Sequence, residues 1–196
     1  MYEIEVKVRA EHESVRRELQ RRGAEPLGAV RQVDTYYDHP DRAFAETDEA
    51  LRLRRERRLD GDQGEDGEGA GEATARLTYK GPLVESASKT REEVETGVAD
   101  ASAVDAILGA VDFDPVEQVR KERERFAVSG YTVTLDSVEG VGEFVEVERE
   151  GSEAEIEDLR EGARDLLRDL GLDPEEHVRT SYLELVLEGQ DWSDDG

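Results

Sequence analysis

Residues 2–8 read YEIEVKV. Laid out as a strand, Glu3, Glu5 and Lys7 share one face while Tyr2, Ile4, Val6 and Val8 share the other, because successive side chains alternate sides. A solvated edge would account for one such strand. The pattern recurs, however. In "ALRLRRERRL" (50–59), Leu51 and Leu53 oppose Arg52 and Arg54. In "ATARLTYKGP" (73–82), Arg76, Thr78 and Lys80 oppose Leu77 and Tyr79, and Arg91, Glu93 and Glu95 share a face in "SKTREEVETGV" (88–98). Three more segments follow suit: Lys121, Arg123 and Arg125 align in "EQVRKERERFAV", Thr132, Thr134 and Asp136 in "YTVTLDSV", and Glu146 and Glu148 in "EFVEVERE".

Strands with one ionic and one aliphatic face need helices to cover the aliphatic side. "EHESVRRELQRRGAEP" (11–26) supplies Val15 and Leu19, ended by Gly23 and Pro26. A helix after Ser102, with Asp105 completing a capping box, carries Val104, Ile107, Leu108 and Val111; a longer one from Ser152, boxed by Glu155, carries Ile156, Leu159, Ala163, Leu166, Leu167 and Leu170. "TSYLELVLE" (180–188) reads as a last strand. The fold expected is α+β: a closed or nearly closed antiparallel barrel with helices outside and charged faces turned inward. Residues 1–188 form one domain, with a flexible acidic, Gly-rich loop at 60–73 and a disordered tail at 189–196.

Composition narrows the chemistry. There is no cysteine, so disulfides, thiolate catalysis and cysteine zinc sites are excluded. Fifty-one acids face 26 bases, for a net charge of -25. Such a field argues against nucleic-acid or anionic-membrane partners. With no apolar run of spanning length and no signal-peptide pattern, a cytoplasmic protein is expected. Only Lys7, Lys80, Lys89 and Lys121 are lysine, and acid excess with scarce lysine suits a halophilic protein, since salt screens like charge. The three histidines are scattered and read as surface residues. The Gly-rich loop is followed by no Gly-Lys-Ser/Thr, so it is not a P-loop.

A lumen this charged costs several kcal/mol per ion unless its charges are paired or liganded, which makes it a candidate site for a charged ligand. Lys7, Arg52, Arg54, Arg76, Lys80, Arg91, Lys121 and Arg123 offer cations, and arginine grips phosphate oxygens bidentately. Glu3, Glu5, Glu93, Glu95, Asp136, Glu146 and Glu148 offer carboxylate oxygens, which suit Mg²⁺ or Mn²⁺. Both sets in one cavity describe a polyphosphate site.

"EIEVK" resembles the ExExK signature of the CYTH superfamily, the triphosphate tunnel metalloenzymes. "DTYYD", "FAETDEALRLR", "LTYKGP", "KTREEVE", "VRKERERF", "VTLDSVEGVGEFVEVE" and "SYLEL" follow in family order over roughly residues 2–187. Several of these blocks are most similar to the class IV adenylate cyclase branch, including its archaeal relatives. The resemblance implies an eight-stranded tunnel, dependence on a divalent metal and a nucleoside triphosphate substrate, ATP first. It implies Glu3, Glu5, Asp136, Glu146 and Glu148 as metal ligands and Lys7, Arg52, Arg54, Lys80, Lys121 and Arg123 as triphosphate contacts, to which the charged face of 88–98 adds Arg91. Tyr36 and Lys80 match a dyad proposed to assist hydrolysis in the thiamine-triphosphatase branch. Cyclase, triphosphatase and a non-catalytic polyphosphate- or nucleotide-binding module therefore stand as the three readings, and a homodimer is one option for assembly.

Overall fold

A computed structural model of the chain describes residues 2–59, 73–83 and 91–191. All but the last residue of the Gly-rich loop lies outside these, as does Lys89. The opening segment is strand β1 (Tyr2–Arg9). Helix α1 (His12–Arg21), the long strand β2 (Glu25–Asp38), a single helical turn α2 (Phe44–Thr47) and strand β3 (Ala50–Arg58) follow. Strands β4 (Thr74–Leu83) and β5 (Arg91–Val98), helix α3 (Ala101–Ala110) and strands β6 (Asp114–Val128), β7 (Tyr131–Val138) and β8 (Gly142–Gly151) come next. Helices α4 (Ile156–Asp169) and α5 (Tyr182–Asp191) complete the order.

The eight strands close into one barrel in the order β1-β5-β4-β3-β2-β6-β7-β8, every neighbour antiparallel. Closure removes exposed strand edges and fixes inside from outside. The aliphatic residues of β1, β7 and β8 (Val6, Val8, Val133, Leu135, Val145 and Val147) point outward and bury against Val15 and Leu19 of α1 and Ala163, Leu166 and Leu167 of α4. Each is at most 4 % exposed, so the main core lies between barrel and helices and the lumen is left to polar side chains. Ser152 and Glu155 form the expected capping box, with the Ser152 N–H donating to Glu155 Oε2 at 2.9 Å.

Four expectations need correction. The segment 180–188 is a helix, not a strand: Ser181 Oγ accepts from the Glu184 N–H at 3.1 Å and the Glu184 carboxylate from the Ser181 N–H at 2.6 Å, a reciprocal cap that starts α5. That helix runs to Asp191, through the first residues of the segment read as a tail; residues 192–196 lie outside the described ones. Helix α3 is capped by Asp100, whose carboxylate accepts from the N–H groups of Ser102 and Ala103, and its Ile107 and Val111 face solvent while Leu108 packs inward. His12 is buried, its ring Nε2 3.0 Å from the Phe144 carbonyl, so it anchors α1 to β8.

Candidate functional site in the barrel lumen

The lumen holds a cavity of about 440 Å³ whose lining includes most of the ionic residues selected from the sequence. Glu3, Glu5 and Lys7 enter from β1, Arg52 and Arg54 from β3, Lys80 from β4, Arg91, Glu93 and Glu95 from β5, Lys121 and Arg123 from β6, and Glu146 and Glu148 from β8. Strand period places them there, since every one is an inward partner of an outward aliphatic or solvent-facing neighbour. Arg76 also lines the cavity but lies at its wet edge, with 58 % of its side chain exposed.

Three ion clusters organise the wall. Asp136 on β7 is fully buried and accepts from Arg123 Nε at 2.6 Å and Lys121 Nζ at 3.2 Å; Arg123 Nη2 also reaches Glu146 at 2.5 Å. Burial works to raise the Asp136 pKa, but Arg123 and Lys121 outweigh it and hold the carboxyl well below the usual carboxylate range. The reverse applies to Lys121, which burial and the neighbouring Arg123 push down to about 8 despite Asp136. In the second cluster, Asp34 on β2 takes a bidentate pair from Arg54, Nε and Nη2 each at 2.7 Å, with Arg52 at 3.8 Å. Burial again works upward, and Arg54 and Arg52 hold Asp34 ionised. The third joins Lys80 to Glu93 and, at 3.5 Å, to Glu3.

The acids of β1 and β8 are arranged differently. Glu5 stands directly opposite Glu148 across the β1–β8 ladder, a like-charge pairing that destabilises a sheet. Burial, with repulsion from Glu3, Glu146 and Glu5, pushes Glu148 up to about 8 although Arg123 works against the rise. Burial likewise raises Glu3. Among the described residues no group of three acidic or imidazole side chains is placed so that it could hold a metal ion. An all-oxygen set of carboxylates nonetheless suits a hard cation that completes its shell with waters and phosphate oxygens.

The structure thus gathers the sequence-selected residues other than Asp136 into the lining of one cavity but gives them unlike surroundings. Asp136 is occupied by protein cations, whereas Glu148 is crowded by Glu3, Glu146 and Glu5, of which Glu3 is paired with Lys80 and Glu5 with Lys7. Arg91 sits at one mouth with its guanidinium on the Asp48 carbonyl at 2.7 Å, holding the turn that leads into β3. Tyr36 and Lys80 line the same cavity, yet Lys80 is engaged by Glu93 and Glu3. Burial, reinforced by Asp34, raises the Tyr36 pKa, so its hydroxyl stays protonated.

Sequence reasoning passed over Asp34 and Gln32, both 1 % exposed in the lumen wall. Their signal was present: in "RQVDTYYD" Gln32, Asp34 and Tyr36 alternate just as the selected residues do. It also passed over Tyr182, because the segment was assigned to a strand.

The sequence matches the CYTH domain over residues 1–182. A candidate adenylate cyclase of Methanocaldococcus jannaschii is 34 % identical over 187 residues, which cover 94 % of this chain and 98 % of that one. Among solved structures, a protein of Pyrococcus horikoshii is 36 % identical, covers 95 % of this chain and 98 % of its own, and superposes with a TM-score of 0.82. A candidate adenylyl cyclase of Hippeastrum, described as having a dominant triphosphatase activity, shares the fold at 18 % identity and a TM-score of 0.62, over 96 % of this chain and 95 % of that one. With a matching domain across nearly its whole length and an inward-facing ionic barrel of the same architecture, the chain belongs to the CYTH family.

Proposed function

We propose that the protein is a metal-dependent adenylate cyclase of the class IV type, converting ATP to 3′,5′-cyclic AMP and pyrophosphate in the barrel lumen. The observation that carries this reading is the convergence of Lys7, Arg52, Arg54, Lys80, Lys121 and Arg123 on one cavity in a chain of net charge -25. Cations concentrated against the overall field are an investment in a polyanion: at an effective dielectric near 20 a charge contact at about 4 Å is worth roughly 4 kcal/mol. The identity to a candidate adenylate cyclase favours ATP as the triphosphate.

In the mechanism, Arg54, Lys121 and Arg123 exchange part of their bonding from Asp34, Asp136 and Glu146 to phosphate oxygens, keeping the chain extended along the lumen. Lys7, Lys80 and Arg52 hold its other side. Orientation of this kind, with charge neutralisation, supplies most of what phosphoryl chemistry requires. The ribose 3′-hydroxyl attacks the α-phosphorus, the bond to the β-phosphate oxygen breaks, and the hydroxyl's proton leaves with the pyrophosphate. Glu3, Glu5 and Glu148, with Glu146 beside them, would hold Mg²⁺ or Mn²⁺, which when bound supplies neutralisation of the transferring phosphates and activation of the attacking oxygen.

A triphosphatase is the second reading, and it rests on Tyr36 and Lys80 lining the same cavity. Lys80 is paired with Glu93 and Glu3, and its charge also acts on the Tyr36 hydroxyl. Incubating the protein with ATP, inorganic triphosphate or thiamine triphosphate, each with Mg²⁺ or Mn²⁺ at high salt, separates the readings by product. Cyclic AMP with pyrophosphate is expected. Orthophosphate without cyclic AMP would replace the cyclase by the hydrolase, and no turnover of any substrate would leave a binding module.

A further inference from the structure

The segment between α4 and α5 is stitched to the barrel beside Lys7. The Val178 N–H donates to the Lys7 carbonyl at 2.7 Å, and Lys7 Nζ donates to the Thr180 carbonyl at 3.0 Å. The Ser181–Glu184 cap then fixes the first turn of α5 and, with it, Tyr182. The ring of Tyr182 meets Phe144 edge-on at 5.0 Å. Two of the lumen ammoniums stand over it, Lys7 at 4.2 Å and Lys121 at 4.7 Å from the ring centre. Such contacts limit where the two ammonium groups can go.

The hydroxyl of Tyr182 is a different matter. The residue is 7 % exposed and lines the cavity, and its oxygen is enclosed without a hydrogen-bond partner among the described residues. Enclosed polar atoms are rarely left so, and each one calls for an account. Glu146, Asp136 and Glu5 are close enough to act on it, yet none of them accepts its proton: Asp136 is held by Arg123 and Lys121, and Glu146 Oε2 by Arg123. Burial, with those acids, raises its pKa well above 10, so it is a donor and not a phenolate. A donor with no acceptor, set beside Lys7, Lys121 and Arg123, describes one wall of an oxyanion site.

We propose that Tyr182 is a further ligand-binding residue of the lumen, its O–H donating to an oxygen of bound triphosphate beside Lys7, Lys121 and Arg123, and its ring holding the two lysines in place. This rests on the reading of the lumen as a triphosphate site. It adds that the last helix contributes directly to that site.

The test is calorimetric titration of the full chain with inorganic triphosphate and Mg²⁺, paired with ligand-free melting temperatures. Tyr182→Phe keeps the ring and removes only the hydroxyl. Tyr131→Phe is the control, because the Tyr131 hydroxyl donates to the Leu159 carbonyl at 3.0 Å on the outside of the barrel. Loss of one hydrogen bond to a charged group corresponds to an affinity loss on the order of 10-fold or more. Tyr182→Phe should therefore bind about 10-fold more weakly with an unchanged or higher ligand-free melting temperature, whereas Tyr131→Phe should lower the melting temperature and leave affinity alone. Equal affinities of wild type and Tyr182→Phe overturn the proposal. So does a loss of affinity accompanied by a lowered ligand-free melting temperature, which assigns the hydroxyl to the fold. If the wild type itself binds no triphosphate, the triphosphate reading falls first and takes this proposal with it.

Discussion

Asp136→Asn probes whether this acid is an anchor for protein cations or a ligand held for a metal. The carboxylate is fully buried between Arg123 and Lys121. Asparagine keeps its shape and removes its charge. Breaking a buried ion pair from one side costs about 3–5 kcal/mol, because the remaining charges are left uncompensated. For 196 residues the unfolding entropy is about 0.4 kcal/mol/K, taking roughly 2.1 cal/mol/K per residue, so a loss of about 4 kcal/mol lowers the melting temperature by about 10 °C. The folded-state pKa of Asp136 lies below its unfolded value. Its contribution is therefore fully present above about pH 4 and is lost as pH falls through the folded value. The gap between wild type and variant should hold from pH 5 to 7 and close in acid. Thermal and denaturant unfolding in the presence of a chelator measures it. A variant within about 2 °C of wild type would refute the anchor, and a more stable variant would show an acid that was being repelled, as one kept for a metal is once the metal is stripped.

Glu148→Gln should behave in the opposite way. Because the folded pKa of Glu148 is raised to about 8, folding retains a proton that the unfolded chain releases, and wild-type stability contributed by this group falls between about pH 4 and 8. In chelator the variant should gain on wild type from pH 5 to pH 8 and yet lose metal-dependent turnover; no difference in unfolding midpoint between those two pH values would count against the crowding. Tyr36→Phe should cost a cyclase little, since its nucleophile arrives on the substrate, whereas a hydrolase would lose about 10²–10⁴-fold as for a missing acid–base group; initial rates on ATP and inorganic triphosphate distinguish them. Lys80→Ala should weaken binding of inorganic triphosphate about 10-fold or more, given the strength of charge-assisted contacts, while Arg17→Ala on the outer face of α1 should not, and equal behaviour in titration would remove Lys80 from the site.

The barrel was legible because period 2 is strict: once Glu3, Glu5 and Lys7 are placed on one face, a one-residue slip would expose Ile4, Val6 and Val8. What could not be read was the pairing within the lumen. That Asp136 meets Arg123 while Glu5 meets Glu148 depends on the stagger of β6, β7, β8 and β1, which distant segments set together. The end of the chain was misread for a local reason. In residues 182–187, Tyr182, Glu184 and Val186 alternate with Leu183, Leu185 and Leu187, a run that also satisfies a strand; the deciding signal was Ser181 three residues before Glu184, the same box recognised at Ser152. His12 has no neighbour in sequence that foretells burial, because the carbonyl it meets belongs to Phe144.

Among the described residues the ladder between β1 and β5 joins Tyr2 to Glu92 and Glu3 to Arg91, and β1 is paired with β8 along the whole of β1. That lap joint closes the ring, so whatever spans it bears on how firmly the wall holds together. Across that joint Lys80 and Glu93 on one side face Glu3 on the other. A polyanion gripping Lys80 while a cation engages Glu3 would act as a rivet through the lap. Occupancy of the lumen would then be felt as stiffness of the entire ring, most of all in strand β5.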